Sequence, residues 1–414
     1  MAEVDPKAAS PKLAPVSAAE RIEALDVLRG AALLGILAMN IQSYTMPGAA
    51  YFFPTAYGDL TGVNYWAWYL SEIFARRKFI TIFSMLFGAG IVLMQDRASA
   101  TGRGWAGVHY RRMGVLWLFG MLHAYLLWEG DILVCYAICG LFLYLFRKVR
   151  TSRLLATGVV FLIFGSVTSL FFGWSAQYWP PESLEEFRNS WQPNLEELTT
   201  EISNMQGGWR SEIHHRAPSV LMIHIFYLPT HLIWRAGGCM LLGMAFFRWG
   251  WFSAQRSRRF YRSLIALALL VGLPLTIYGV HSQKASGWEP VFSFFMASQY
   301  NYWGSLPMAM GWVGAVMLLF RSSAWRSLVQ RLAAVGRMAL TNYLMQTIIC
   351  TTLVCGHGFG KFSQLERREQ ACLVLAIWVI QMTYSHTWLK HYRFGPAEWL
   401  WRSLSYRQRQ PFRR

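Results

Sequence analysis

Charge is scarce in this chain, and what there is leans one way. Only 14% of the 414 residues are Asp, Glu, Lys or Arg, where soluble domains carry roughly a quarter. Lys and Arg number 39 against 21 acids, a net charge of +18. With 54% hydrophobic residues and a mean hydropathy of +0.27, this composition excludes a water-soluble globule and predicts an all-α, polytopic integral membrane bundle. On a soluble chain, +18 would suggest nucleic acid. Here Arg and Lys fall in short clusters between apolar runs, as in cytoplasmic loops beside anionic lipid, so the expected partner is the lipid bilayer and not nucleic acid.

Paired cysteines are also missing. Cys135, Cys139, Cys239, Cys350, Cys355 and Cys372 lie in or beside apolar runs without a CxxC pair, which reads as small buried fillers and not as a disulfide or metal framework. There is no Gly-rich phosphate loop, nucleophile elbow or HExxH, and no metal is expected. The Ala/Pro-rich start has neither the basic segment nor the apolar core of a signal peptide. Residues 1–24 are therefore expected to form a disordered cytoplasmic tail.

What the chain has in abundance is apolar runs near the ~20 residues a bilayer needs. About ten spans are expected, at 27–46, 79–94, 113–128, 132–146, 154–174, 220–247, 264–280, 302–320, 338–355 and 371–389. The aromatic stretch 63–70 is expected at the interface, leading into the second span, and a re-entrant piece could hide in 292–308. Membrane helices one to five then occupy 25–174, an extracytoplasmic loop 175–218, helices six to ten 219–405, and a basic tail 406–414. Every second loop is basic: Arg97 to Arg112, Arg147 to Arg153, Arg248 to Arg262, Arg321 to Arg331, and the tail. Both termini should thus be cytoplasmic. The large opposite loop carries Glu182, Glu185, Glu186, Glu196, Glu197 and Glu201, with amphipathic stretches at 183–191 and 195–205.

Ionisable residues at membrane depth are costly and so are candidate functional groups. His123 and Asp131 flank a very short turn in LFGMLHAYLLWEGDILVCY. An acid beside a histidine would orient it and raise its basicity, as a general base requires. The competing reading is a histidine bonded to a neighbouring helix and an aspartate capping span four. Asp26, Arg29 and Asn40 lie on span one. Arg29 and Asn40 are about three turns apart on one face, a polar pathway with a phosphate-binding arginine at its inner mouth, or else a snorkelling anchor paired with Asp26. In span six His224, Tyr227, His231 and Arg235 are spaced three, four and four around Pro229, one polar stripe facing a cavity, with Arg235 as an anion site. Zinc on the two histidines lacks a third ligand. Arg337, Asn342 and Gln346 mark span nine, where interhelical hydrogen bonding is the alternative. Lys78 at the head of span two is too generic to interpret.

Taken together, LDVLRGAALLGILAMNI, KFITIFSMLFGAGIVLM, LFGMLHAYLLWEGDIL, MLLGMAFFRWGWF, GRMALTNYLMQTII and FGPAEWLWRSLSY resemble the YeiB-like family of bacterial membrane proteins, whose C-terminal half is a domain of unknown function. That resemblance implies a multi-pass protein of the bacterial inner membrane. The opening LDxLRG is similar, more distantly, to membrane acyltransferases that modify extracellular sugars, and the ten-span plan to the heparan glucosaminide acetyltransferase group. These similarities imply an acyl-CoA donor on the cytoplasmic side and a glycan-like or lipid-linked acceptor on the other. Arg29 matches the arginine of the O-acyltransferase pattern, but Asn40 stands where that pattern has histidine. His123, oriented by Asp131, is the expected replacement base. Arg29, Arg235 and Arg337 are expected on the donor phosphates, and Asn40 or Asn342 on the oxyanion. The other reading is a transporter of a small anionic molecule.

Overall fold

Long uncharged runs can satisfy their backbone in lipid only as helices, and helices are what they form. The computed structural model describes residues 21–100 and 104–414. The expected tail therefore lies outside it as far as residue 20, as does Arg103. The order is α1 (Glu23–Thr45), α2 (Gly48–Phe52), α3 (Gly62–Phe74), α4 (Lys78–Ala100), α5 (Ala106–Leu126) and α6 (Leu133–Leu143). Next come α7 (Thr151–Ser175), α8 (Pro181–Trp191), α9 (Leu195–Gln206), α10 (Trp209–Met222) and α11 (Ile233–Arg248). The chain continues with α12 (Arg258–Leu267), α13 (Leu273–Ala285), α14 (Ser298–Phe320), α15 (Arg326–Arg337), α16 (Ala339–Val354), α17 (Arg367–His391) and α18 (Pro396–Tyr406). Among the described residues there is no strand beyond one isolated bridge, Tyr392 to Arg413.

Seven helical segments are long and apolar enough to cross a membrane: Glu23–Thr45, Gly62–Ala100, Thr151–Tyr178, Trp209–Arg248, Arg258–Ala285, Phe292–Phe320 and Arg367–His391. The other three expected spans are the shorter or more charged α5, α6 and α16. α6 and α16 are mostly buried, and a helix enclosed by protein need not match the full apolar thickness. α5 carries Arg111 and Arg112 in its second turn. Exposed apolar side chains such as Val160, Phe171, Leu270 and Val379 form the outer faces, as lipid contact requires.

Glycines set the closest helix contacts. A Cβ at Gly30 would strike the Leu332 carbonyl and one at Gly336 the Asp26 carbonyl, so α1 and α15 touch backbone to backbone. Gly88 and Gly243 do the same between α4 and α11, the small-residue packing typical of membrane helices. The loops sort by charge. At one end Arg248 donates to the carbonyls of Val149 and Arg147, and Arg321 to that of Arg256. At the other, Glu201 accepts from the Gly48 amide and Gly356 N–H bonds the Met205 carbonyl. These are the basic and acidic ends. The expected amphipathic stretches of the acidic loop are α8 and α9, the latter opened by an Asn194–Glu197 capping box.

Three features of the spans stand out. First, the segment 63–70 leads into span two: α3 and α4 form one broken helix, interrupted at Ala75–Arg77 with Arg77 at φ 65°. The carbonyls freed at the end of α3 are taken by side chains. Trp312 Nε1 donates to Phe74 O at 3.0 Å and Lys78 Nζ to Glu72 O at 2.9 Å, which answers the open end. Second, 292–308 is not re-entrant but a single helix whose first turns are widely wound. Third, span six is one 40-residue helix, wound i→i+5 over Ile223–Leu232. Pro229 sits inside that stretch and, without an N–H, cannot hold a regular α-turn there.

Candidate functional site

The α5–α6 hairpin turns so tightly because Gly120 lets α6 approach; a Cβ there would come within 2.6 Å of Val134 N and 3.0 Å of Asp131 Oδ2. Asp131 then divides its two oxygens. Oδ2 accepts the Val134 N–H in the first turn of α6 at 2.8 Å, and Oδ1 accepts from His123 Nδ1 at 2.8 Å. The capping role and the orienting role, set against each other by the sequence, are both filled. With the proton on Nδ1, Nε2 is an acceptor, and Thr347 Oγ1 of α16 lies 2.9 Å from it. The Tyr44 hydroxyl of α1, beside Asn40, is 2.9 Å from Thr347 Oγ1 and completes the line by donating to it. His123 is 1% exposed. Trp128 covers the group, its ring 4.4 Å from that of Tyr44 and its Nε1 bonded to Ser43 at 3.1 Å. An acid, an imidazole and a hydroxyl in this order are the parts of an activated nucleophile.

The other expected residues divide into groups. At the basic end Arg29 Nη1 pairs with Asp26 at 2.9 Å. Arg337 is near Asp26, Arg21 and Arg414; burial presses it down to about 10, and its Nε is buried without a partner. Arg235 does not join them. It lies deep in the bundle, donating to Thr81 Oγ1 at 3.0 Å and Ser305 Oγ at 2.7 Å beneath the Tyr302 ring. Asn342 is not free for an oxyanion. Its amide donates to Val335 O and Ser385 Oγ, and its oxygen accepts from Tyr384 and Ser385. Gln346 is spent on Gln381 Oε1 and Leu33 O. Both are interhelical ties. Of the span-six stripe, Tyr227, His231 and Arg235 stay together: the Tyr227 and His231 rings stack at 5.1 Å, and His231 and Arg235 both meet the Tyr302 ring, while His224 faces Tyr125 of α5.

Two groupings were not foreseen. Around the α3–α4 break, Lys78 Nζ reaches Asn301 Oδ1 at 2.9 Å, Asn301 Nδ2 reaches Glu72 Oε1 at 2.9 Å, and Arg76 pairs with Glu72 Oε2 at 2.9 Å. Lys78 is fully buried. The run Arg76-Arg77-Lys78 inside an apolar stretch was the available signal. At the acidic end Glu212, Cys355 and His357 bring one ligand atom each within 4.8 Å of one another. Glu212 already accepts from the His357 backbone and Nδ1, at 2.9 and 2.7 Å, with Arg216 3.9 Å away. Burial raises the Cys355 thiol to about 12. The Glu212–His357 bonds tie α10 to the loop after α16, and the Arg216 guanidinium beside Glu212 opposes a cation there.

Helical architecture, lipid-facing apolar surfaces and buried polar centres together define a multi-pass membrane protein. The chain belongs to the YeiB-like family: it is 33% identical over 396 residues to the uncharacterized protein YeiB of Escherichia coli (strain K12), covering 95% of this chain and 98% of that one. It is 30% identical over 418 residues to the uncharacterized protein YxaH of Bacillus subtilis (strain 168), covering 96% and 98%. The model of the family described as "Protein of unknown function (DUF418)" matches residues 246–408. No solved structure matches.

Proposed function

We propose that the protein is a transmembrane acyltransferase of the bacterial inner membrane, passing an acyl group from cytoplasmic acyl-CoA to a hydroxyl or amine of a glycan-like or lipid-linked acceptor. The observation that carries this reading is the line Asp131–His123–Thr347, with separations of 2.8 and 2.9 Å. His123 Nε2 takes the Thr347 proton as Oγ1 attacks the thioester carbonyl. The C–S bond breaks, and the same proton passes to the departing thiolate. The acceptor then attacks the Thr347 ester while His123 draws off its proton and returns it to Oγ1. Asp131 holds the tautomer and stabilises the imidazolium. Tyr44, next to Asn40, is placed to donate to the oxyanion.

Thr347 is eight residues into α16, about 12 Å along its axis, and it is fully buried, so acyl transfer requires Trp128 to swing away from the line. Arg29 and Arg337, with Arg21 beside them, fit the donor phosphates at the basic end; Arg235 is too deep to share that task. The test is incubation of the purified protein with radiolabelled acetyl-CoA. Protein-bound label released by alkaline hydroxylamine is expected for wild type and for Thr347→Ser, and none for Thr347→Ala or His123→Ala. Absence of both bound label and thiol release from wild type overturns the reading. The second reading, transport of a small anion, is favoured by the broken α3–α4 helix, because interrupted membrane helices line the sites of many transporters.

A further inference from the structure

We infer that the break between α3 and α4 is a binding site for an oxyanion, a phosphate or carboxylate group that enters from the acidic end. This site is separate from the acyl-transfer line and does not depend on it.

The argument begins with charge. Arg76, Arg77, Lys78 and Arg235 gather around the break, and among the described residues Glu72 is the one carboxylate paired with any of them. Glu72 is fully committed, one oxygen to Arg76 and the other to Asn301. Arg77 Nη1 has only a long 3.4 Å contact with the Ser298 carbonyl. Arg235 Nη1 and Ser293 Oγ are buried with no partner at all. Buried cations in excess of their counter-charges are unfavourable unless something neutralises them. The sequence pays for the break with backbone strain at Arg77, a non-glycine residue held at φ 65°, and strain of that kind gathers at functional sites.

Space is present where the charge is. A small cleft, partly open to solvent, is lined by Glu72, Arg76, Arg77, Ser293, Ser298 and Asn301, with Phe52 and Phe53 beside them. Lys78 lies behind Asn301 and Arg235 beyond the turn. α4 starts at Lys78, so its first amide groups and helix dipole add to the positive potential. Phe52 on α2, just past the outer end of α1, and Gln283 near the end of α13 place the opening at the acidic end. The narrow polar floor suits one carboxylate or phosphate group, whether from a dissolved anion or from the headgroup of an anionic lipid.

Isothermal titration of the full-length protein in neutral detergent with inorganic phosphate tests this, with native mass spectrometry for retained phosphatidylglycerol. Saturable binding by wild type is expected. Arg77→Gln should weaken it about tenfold, since it removes a charge-assisted bond, and Arg235→Gln about threefold, since it removes a nearby charge that does not line the cleft. Glu72→Gln keeps the Asn301 contact but removes the competing carboxylate, and should tighten binding about threefold; a folding defect cannot produce tightening. Arg188→Gln, an exposed pair with Glu289, should leave binding within about twofold. Phosphatidylglycerol retained by wild type and lost in Arg77→Gln, without phosphate binding, identifies a lipid headgroup as the source. Phosphate binding after delipidation identifies a dissolved anion. No phosphate binding together with no retained phosphatidylglycerol, or equal affinity in every variant, overturns the inference.

Discussion

The two buried polar centres of this protein balance their charge in opposite ways. Along Asp131, His123, Thr347 and Tyr44 each group meets the next at 2.8 to 2.9 Å, and one acid faces one base. Around the α3–α4 break four basic side chains face one acid, and two buried polar atoms have no partner. A satisfied line needs nothing from outside to be stable, and the function proposed for it rests on moving a proton within it. An unbalanced cluster becomes complete only when something negative arrives. The first therefore reads as chemistry and the second as recognition.

The sharpest way to break this contrast is Glu72→Ala. It removes the one counter-charge and leaves Lys78 and Arg76 buried, at an expected cost of about 3–5 kcal/mol. Thermal unfolding in detergent should show a large fall in Tm, partly restored by millimolar phosphate; an unchanged Tm would mean that the cluster is solvated after all. Next in size is Asp131→Asn. An amide can still meet the Val134 N–H but cannot fix or stabilise the protonated imidazole, so acyl transfer should drop about 10²–10⁴-fold with little loss of Tm. Equal loss of both would make the line structural only.

The smallest effect concerns a buried acid outside both centres. Glu398 of α18 accepts from the amides of Leu340 and Thr341 and from Thr341 Oγ1, at 2.6, 3.1 and 2.5 Å, and burial raises its pKa. A raised folded-state value means its stabilising contribution is full at pH below the ordinary carboxylate range and fades as pH rises through the raised value. Hydrogen exchange at Leu340 and Thr341 should quicken from acidic to neutral pH beyond the intrinsic rate change, and Glu398→Gln should flatten that excess. A slope that survives the substitution would assign the pH dependence elsewhere.

Much of the fold was legible because lipid leaves a chain few options: long apolar runs had to be helices, and the alternating charge of the loops matches the way those loops meet at two ends. The His123–Asp131 contact was readable as one of two alternatives, since the two lie eight residues apart across a short turn. Thr347 was not, because it lies 224 residues from His123 and only packing brings α16 against α5. The α3–α4 break was hidden for a different reason. No proline or glycine marks Ala75–Arg77, and its freed carbonyls are answered by Trp312 and Lys78 from elsewhere in the fold. Asn342 misled because side-chain type shows what an amide can donate, and not that Ser385 and Val335 have already claimed it. The stripe expected through span six holds from Tyr227 to Arg235, across the wide winding at Pro229.

Asp131 carries one further consequence. Because the same carboxylate starts α6 and sets the tautomer of His123, assembly of the hairpin and arming of the base are a single event. A chain still threading into the bilayer has no oriented imidazole, and one that loses the hairpin disarms itself. The reactivity proposed above is thus confined to the finished molecule by a local hydrogen bond.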